Sequence, residues 1–131
     1  MDIERVKKFW IAGSDEDWRV ALGLFSLTHY SHALFYCHLS LEKLLKAVVV
    51  QETKRQSLYS HDLLILARIG KIALSQDQEE QLNEIASFNI RARYDDVKYK
   101  FYKKATKTYT EEYMKITKKL RIWLKKNYLK K

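Results

Sequence analysis

The sequence predicts an all-α protein, an up-and-down bundle of four to five helices within a single domain spanning 1–131. Three observations carry this expectation. There is no proline and there are only three glycines (Gly13, Gly23, Gly70) in 131 residues, so the turn residues that an all-β chain needs are missing. Long runs repeat apolar residues at about 3.6-residue spacing. Hydrophobic residues make up 47% of the chain, enough for a core without disulfides or metal.

The first helix is predicted from about Asp2 to Leu27, with Ile3, Val6, Trp10, Trp18, Ala21 and Phe25 on one broad face. Gly13-Ser14 marks a possible break, because Ser14 with Asp17 three residues on has the pattern of an N-terminal cap. The second helix, about Tyr30 to Glu52, is apolar most of the way round, which predicts the most buried position in the bundle. Its charged exceptions are Glu42, Lys43 and Lys46. Glu42 and Lys46 lie one turn apart and could pair on an exposed strip.

A polar loop from Thr53 to Ser60 leads to a third helix, about His61 to Ala73. Ser75-Gln76-Asp77-Gln78 reads as a capping box that opens a fourth helix running to about Ile90. Residues 91–107 show no clean helical period, alternate aromatics with cations, and are expected to form a long loop. The last helix is predicted from Thr108, with Glu111 completing a capping box. Its inner face would carry Tyr109, Tyr113, Ile116, Leu120 and Trp123, and the Lys-Lys tail would fray.

The net charge of +9 is unevenly placed: residues 97–131 hold thirteen Lys/Arg and two acids, whereas residues 1–96 are net negative. This clustering favours an anionic partner such as RNA, a nucleotide or an acidic protein. A Lys-rich surface with few turns equally suits a heat-adapted protein. The single Cys37 in an apolar setting reads as a buried small residue of a reducing compartment. The opening Met1-Asp2-Ile3-Glu4 lacks the layout of a signal peptide, and no segment is apolar enough for a membrane helix. A cytoplasmic location without membrane contact is the expectation.

Conventional enzyme chemistry has little support in the residues. His29, His32 and His38 cluster without a cysteine pair or a carboxylate at ligand spacing, so no metal or cofactor is expected. There is no phosphate-cradling glycine loop and no Ser-His-Asp pattern. The sharpest feature is Asn89-Ile90-Arg91-Ala92-Arg93-Tyr94-Asp95-Asp96. Arg91 and Arg93 offer bidentate donors to phosphate and Tyr94 a stacking face for a base, with Asp95 and Asp96 beside them. Glu42, Lys43 and Lys46 are the supporting residues of this site. The competing reading has Arg93 in ion pairs with Asp95 or Asp96 that pin the segment onto the second helix, with Glu42 a natural buried partner for one arginine.

The order of motifs resembles the HEPN (higher eukaryotes and prokaryotes nucleotide-binding) domain family. Trp10 followed by Ser14-Asp15-Glu16-Asp17-Trp18 is similar to the family's opening. Tyr30-Ser31-His32-Ala33-Leu34-Phe35 leading to Glu42-Lys43-Leu44-Leu45-Lys46-Ala47 is similar to its second helix. Ser60-His61-Asp62-Leu63 resembles its lead-in to helix three. Ala92-Arg93-Tyr94-Asp95-Asp96 resembles an Ala-Arg-Tyr-Pro-Asp element, with Asp95 in place of proline, and Tyr109-Thr110-Glu111-Glu112 the start of the last helix.

The resemblance implies a helical bundle, often a homodimer, frequently encoded beside a minimal nucleotidyltransferase in toxin–antitoxin systems. Active relatives are metal-independent ribonucleases with an Arg-x(4–6)-His motif. Here the positions five to seven after Arg91 are Asp96, Val97 and Lys98, those after Arg93 are Lys98, Tyr99 and Lys100, and the last histidine of the chain is His61. The expected function is therefore a non-catalytic component that binds a nucleotide, RNA or a nucleotidyltransferase partner. A ribonuclease toxin with a divergent site and a purely structural homo-oligomer are the alternatives. In some relatives a tyrosine is adenylylated by the partner, which makes Tyr99 and Tyr94 candidate acceptors.

Overall fold

The second helix organises everything else. In the computed structural model, which describes residues 2–55, 60–92 and 95–130 (for 95–97 the backbone only), α2 (Tyr30–Thr53) packs against all five other helices. These are α1 (Ile3–Ser26), α3 (Leu63–Ile69), α4 (Gln76–Arg91), α5 (Asp95–Lys104) and α6 (Lys107–Tyr128). Helix is thus the regular structure throughout the described residues, as the absent prolines and the apolar spacing predict. Leu34, Leu41, Leu44, Leu45 and Val48 of α2 are at most 2% exposed. They form one core with Leu63 and Leu66 of α3, Leu82, Ile85 and Phe88 of α4, Phe101 of α5, and Leu120 and Leu124 of α6.

Helix α1 runs unbroken through Gly13-Ser14. Asp2 caps it, its carboxylate accepting from the Arg5 N–H at 3.1 Å. Gly13 has a packing reason: a Cβ there would come within 3.1 Å of the Lys43 side chain, which crosses α1 to reach Asp17 at 2.9 Å. Ser14 is not a cap. It is fully buried, its hydroxyl donates to the Ser40 carbonyl at 2.6 Å, and it accepts from Arg121 of α6. Arg121 also reaches Ser40 Oγ at 2.9 Å and Asp15 at 2.7 Å, and Lys125 joins Asp15 at 2.6 Å. Burial alone would raise the Asp15 carboxyl; Lys125 and Arg121 outweigh it and hold it below its usual range. The packed face of α1 is therefore Lys7, Ser14, Asp17 and Ala21, more polar than the apolar stripe expected.

Helix α3 is shorter than predicted at both ends. Asp62 caps it by accepting from the Leu64 N–H at 2.9 Å. At its C-terminus, Lys71 takes a left-handed φ of 56°, and the Ile72 N–H returns to the Ala67 carbonyl at 2.9 Å. That Schellman closure stops the helix. Thr28, with φ 64°, ends α1 the same way, the His29 N–H reaching the Leu24 carbonyl at 2.8 Å. The Ser75–Gln78 capping box forms as predicted, with both reciprocal bonds present.

The expected 91–107 loop contains α5. Phe101 is 1% exposed and stacks on Phe88 at 5.4 Å, and Ala105 just beyond the helix is buried. Anchors this sparse leave no repeat for a period search to find. Helix α6 is capped two residues earlier than predicted: Thr106 accepts from the Tyr109 N–H at 3.2 Å, so Thr108 lies inside the helix. Its buried face is Thr110, Met114, Thr117, Leu120, Arg121 and Leu124, while Tyr109, Tyr113, Ile116 and Trp123 lie at its flank.

Candidate functional site

Glu42 is the most heavily engaged acid on α2. It is 5% exposed. Lys46, one turn on, and His61, ahead of α3, both bond its Oε2 at 2.9 Å. His38, one turn back and 1% exposed, places Nε2 at 3.2 Å from Oε1, within ion-pair range but off the line of a hydrogen bond. Burial alone would raise the Glu42 carboxyl; His38, His61 and Lys46 overcome that and hold it at about 2. The Glu42–Lys46 pair is thus largely buried and not on an exposed strip, and Lys46 also lies over the Trp10 ring of α1 at 5.1 Å.

The described partners of Glu42 are two histidines and a lysine, so the expected arginine pairing does not hold for Arg91. Arg91 turns to its own helix, meeting Glu84 Oε1 at 3.5 Å and Ser87 Oγ at 3.2 Å, with its guanidinium over Phe101 at 5.2 Å. Glu84 also accepts from the Tyr109 hydroxyl and from Lys104 at 3.0 Å. Burial would raise its carboxyl, but Tyr109, Lys104 and Arg91 hold it below the usual range, while burial and Glu84 push the Tyr109 phenol up. This cluster ties α4, α5 and the start of α6 together.

Of the remaining candidates, Arg93 and Tyr94 lie outside the described residues. Asp95 and Asp96 open α5, and their side chains lie outside the description. Lys43 pairs with Asp17. Tyr99 is 65% exposed, with Lys103 Nζ 4.7 Å from its ring centre. His29 and His32 meet only edge to face, at 6.1 Å, and no group of metal-binding side chains occurs among the described residues. Cys37 is buried, and burial pushes its thiol up to about 12, which leaves it unreactive.

A pocket of about 330 Å³ opens between α2 and α5, lined by Ser31, His32, Phe35, Tyr36, Ala92, Lys98 and Phe101. Three aromatic residues supply its apolar walls, and His32 and Lys98, both exposed, supply its polar side. The first turns of α2 position Phe35 and Tyr36, and the Phe101 anchor sets α5 opposite them. Sequence reasoning misses His38, His61, Glu84 and the pocket's aromatic walls. A signal for His38 is present, since His38, Glu42 and Lys46 repeat every four residues on one face.

Comparison with known proteins gives two matches. A family model of the HEPN domain matches residues 7–128. The crystal structure of TT1696 from Thermus thermophilus superposes with a TM-score of 0.77 at 20% identity, covering 92% of this chain and 96% of that one, a likeness of fold. No curated protein matches the chain.

Proposed function

The chain belongs to the HEPN domain family, and from that premise we propose that it is a non-catalytic binding component. It takes a nucleotide or an RNA segment beside Arg93 and Tyr94, and it docks a small nucleotidyltransferase as a cytoplasmic homodimer. The observation that carries the reading is the aromatic pocket between α2 and α5, whose wall includes Ala92, the residue preceding Arg93. A base has π-faces to meet at Phe35 and Tyr36, and Lys98 at the rim meets a phosphate. Arg91 is engaged with Glu84 and Ser87, so the bidentate phosphate contact falls to Arg93.

The reading is non-catalytic because no histidine follows either arginine in the sequence, and phosphodiester cleavage needs a group that titrates near neutrality. Tyr99 is an accessible acceptor for the partner's adenylyl transfer: its phenolic oxygen would bond to the α-phosphorus of ATP, releasing pyrophosphate and a proton. Titration calorimetry of wild type and Arg93→Ala with nucleotide, RNA and partner tests the proposal. A loss of about tenfold, the worth of one charge-assisted contact, is expected for the phosphate-bearing ligand. Unchanged affinity for all three rejects the proposal.

A further inference from the structure

Beyond α6 the chain leaves the helix and meets a cradle at the far end of α2. Leu129 is extended, with φ −108° and ψ 121°, the backbone of a parallel β-strand. The carboxamide of Gln51, in the last turn of α2, engages the main chain on both sides of Leu129. Its Nε2 donates to the Tyr128 carbonyl at 2.7 Å, and its Oε1 accepts from the Lys130 N–H at 2.8 Å. A residue in a parallel ladder bonds the carbonyl before and the N–H after the residue opposite it in the same way. One side chain thus stands in for a strand edge.

Lys7 of α1 completes the cradle. It is 2% exposed, and its ammonium donates to the Lys130 carbonyl at 3.0 Å and to Gln51 Oε1 at 3.1 Å, with Glu4 at 3.3 Å. A buried ammonium is costly unless acceptors surround it, so an occupant has to supply the carbonyl that Lys130 supplies here. The Leu129 side chain packs, half-buried, against the main core, and the Tyr128 hydroxyl accepts from the Ala73 N–H at 3.1 Å. The tail expected to fray is therefore held at Lys130. Pairing with main chain, plus a place for one apolar side chain, is how sheet edges take extended peptides with little demand on their sequence.

We infer that Gln51 and Lys7 form a peptide-recognition site for an extended protein segment with one apolar residue, and that residues 128–130 fill it in cis as a strap. The site lies about 24 Å along α2 from Phe35 of the aromatic pocket, and the inference stands independently of the nucleotide reading. A strap on the same chain is present at an effective concentration in the millimolar range. A segment from outside therefore binds in competition with it, and the strap acts as a built-in inhibitor of the site.

Two-dimensional NMR of the full chain tests this, with the end-blocked peptide Asn-Tyr-Leu-Lys-Lys and a version with serine in place of leucine as probes. Leu129→Gly leaves both cradle residues in place and frees the strap. At millimolar concentration the leucine peptide should then shift the Gln51 carboxamide and Lys7 signals. It should bind this variant at least about threefold more tightly than wild type, whose own strap competes. The serine peptide should not bind, and adding Gln51→Ala should weaken the leucine peptide about tenfold, the worth of its two hydrogen bonds. Equal binding of the two peptides, equal binding to wild type, or no binding to the folded Leu129→Gly chain overturns the inference. If circular dichroism shows Leu129→Gly unfolded, Leu129→Ser takes its place; if both are unfolded, the tail is a fixed part of the core and the inference falls.

Discussion

Replacing Glu42 with glutamine removes one charge from a buried site while keeping the shape of the side chain. In the folded protein the carboxyl sits at about 2, against an ordinary 4.5. At about 1.36 kcal/mol per unit, the charged form carries about 3 kcal/mol of folding stability at neutral pH, an upper figure because His61 is exposed to solvent. The folded value is the depressed one, so this contribution is complete above about pH 4.5 and is lost as pH falls toward 2. Glu42→Gln should therefore cost about 2–3 kcal/mol at pH 7, with buried His38 and part-buried Lys46 left beside a neutral amide. For a chain of this length that lowers the melting temperature by about 10 °C. Urea unfolding followed by far-UV circular dichroism, for both proteins between pH 7 and pH 2.5, measures the difference directly. The gap should be constant down to about pH 5 and then close. A variant within about 0.5 kcal/mol of wild type at pH 7, or a gap independent of pH below 4.5, refutes the assignment of Glu42 as a charged hub; changes of that size are typical of ordinary surface positions.

Two further perturbations test the rest of the framework. Phe101→Ala removes the ring that anchors α5 on Phe88 and should cost about 3 kcal/mol, with hydrogen exchange accelerated first in residues 98–104; protection equal to wild type there would mean that α5 is held by other contacts. Arg121→Ala strips Ser14, Ser40 and Asp15 of a shared donor and should cost about 2–4 kcal/mol, less than a fully buried pair because Asp15 is partly exposed and keeps Lys125. A loss under 1 kcal/mol in denaturant unfolding would show that water satisfies those groups as well as the guanidinium does.

What can be read in advance is whatever the chain states locally. Periodic apolar residues announce α1, α2, α4 and α6, and the Ser75–Gln78 box places the start of α4. The failures have a common cause, polar or isolated residues whose partners lie far along the chain. Ser14 has the composition of a cap, yet it is buried because Arg121 arrives from more than a hundred residues away. Helix α5 is anchored by Phe101 and the Ala105 that follows it, so no repeat announces it. Glu42 stands out in the sequence as a charge in a buried helix, but two of its partners are histidines, one of them reaching back from the far end of the α2–α3 connection. The pocket that Ala92 borders is not legible in the sequence, because its walls come from α2 and α5 together.

The position of α2 at the centre of the bundle has a consequence for biosynthesis. By Thr53 the ribosome has supplied only α1 to cover it, and α6 is complete only at Tyr128. At about 5–20 residues per second, the roughly 75 residues between take about 4–15 s to appear. During that interval the most buried helix of the folded protein, with Glu42 and His38 embedded in it, waits half-clothed. Apolar surface left uncovered for seconds is prone to aggregate, so the order of synthesis bears on this fold as well as the final packing.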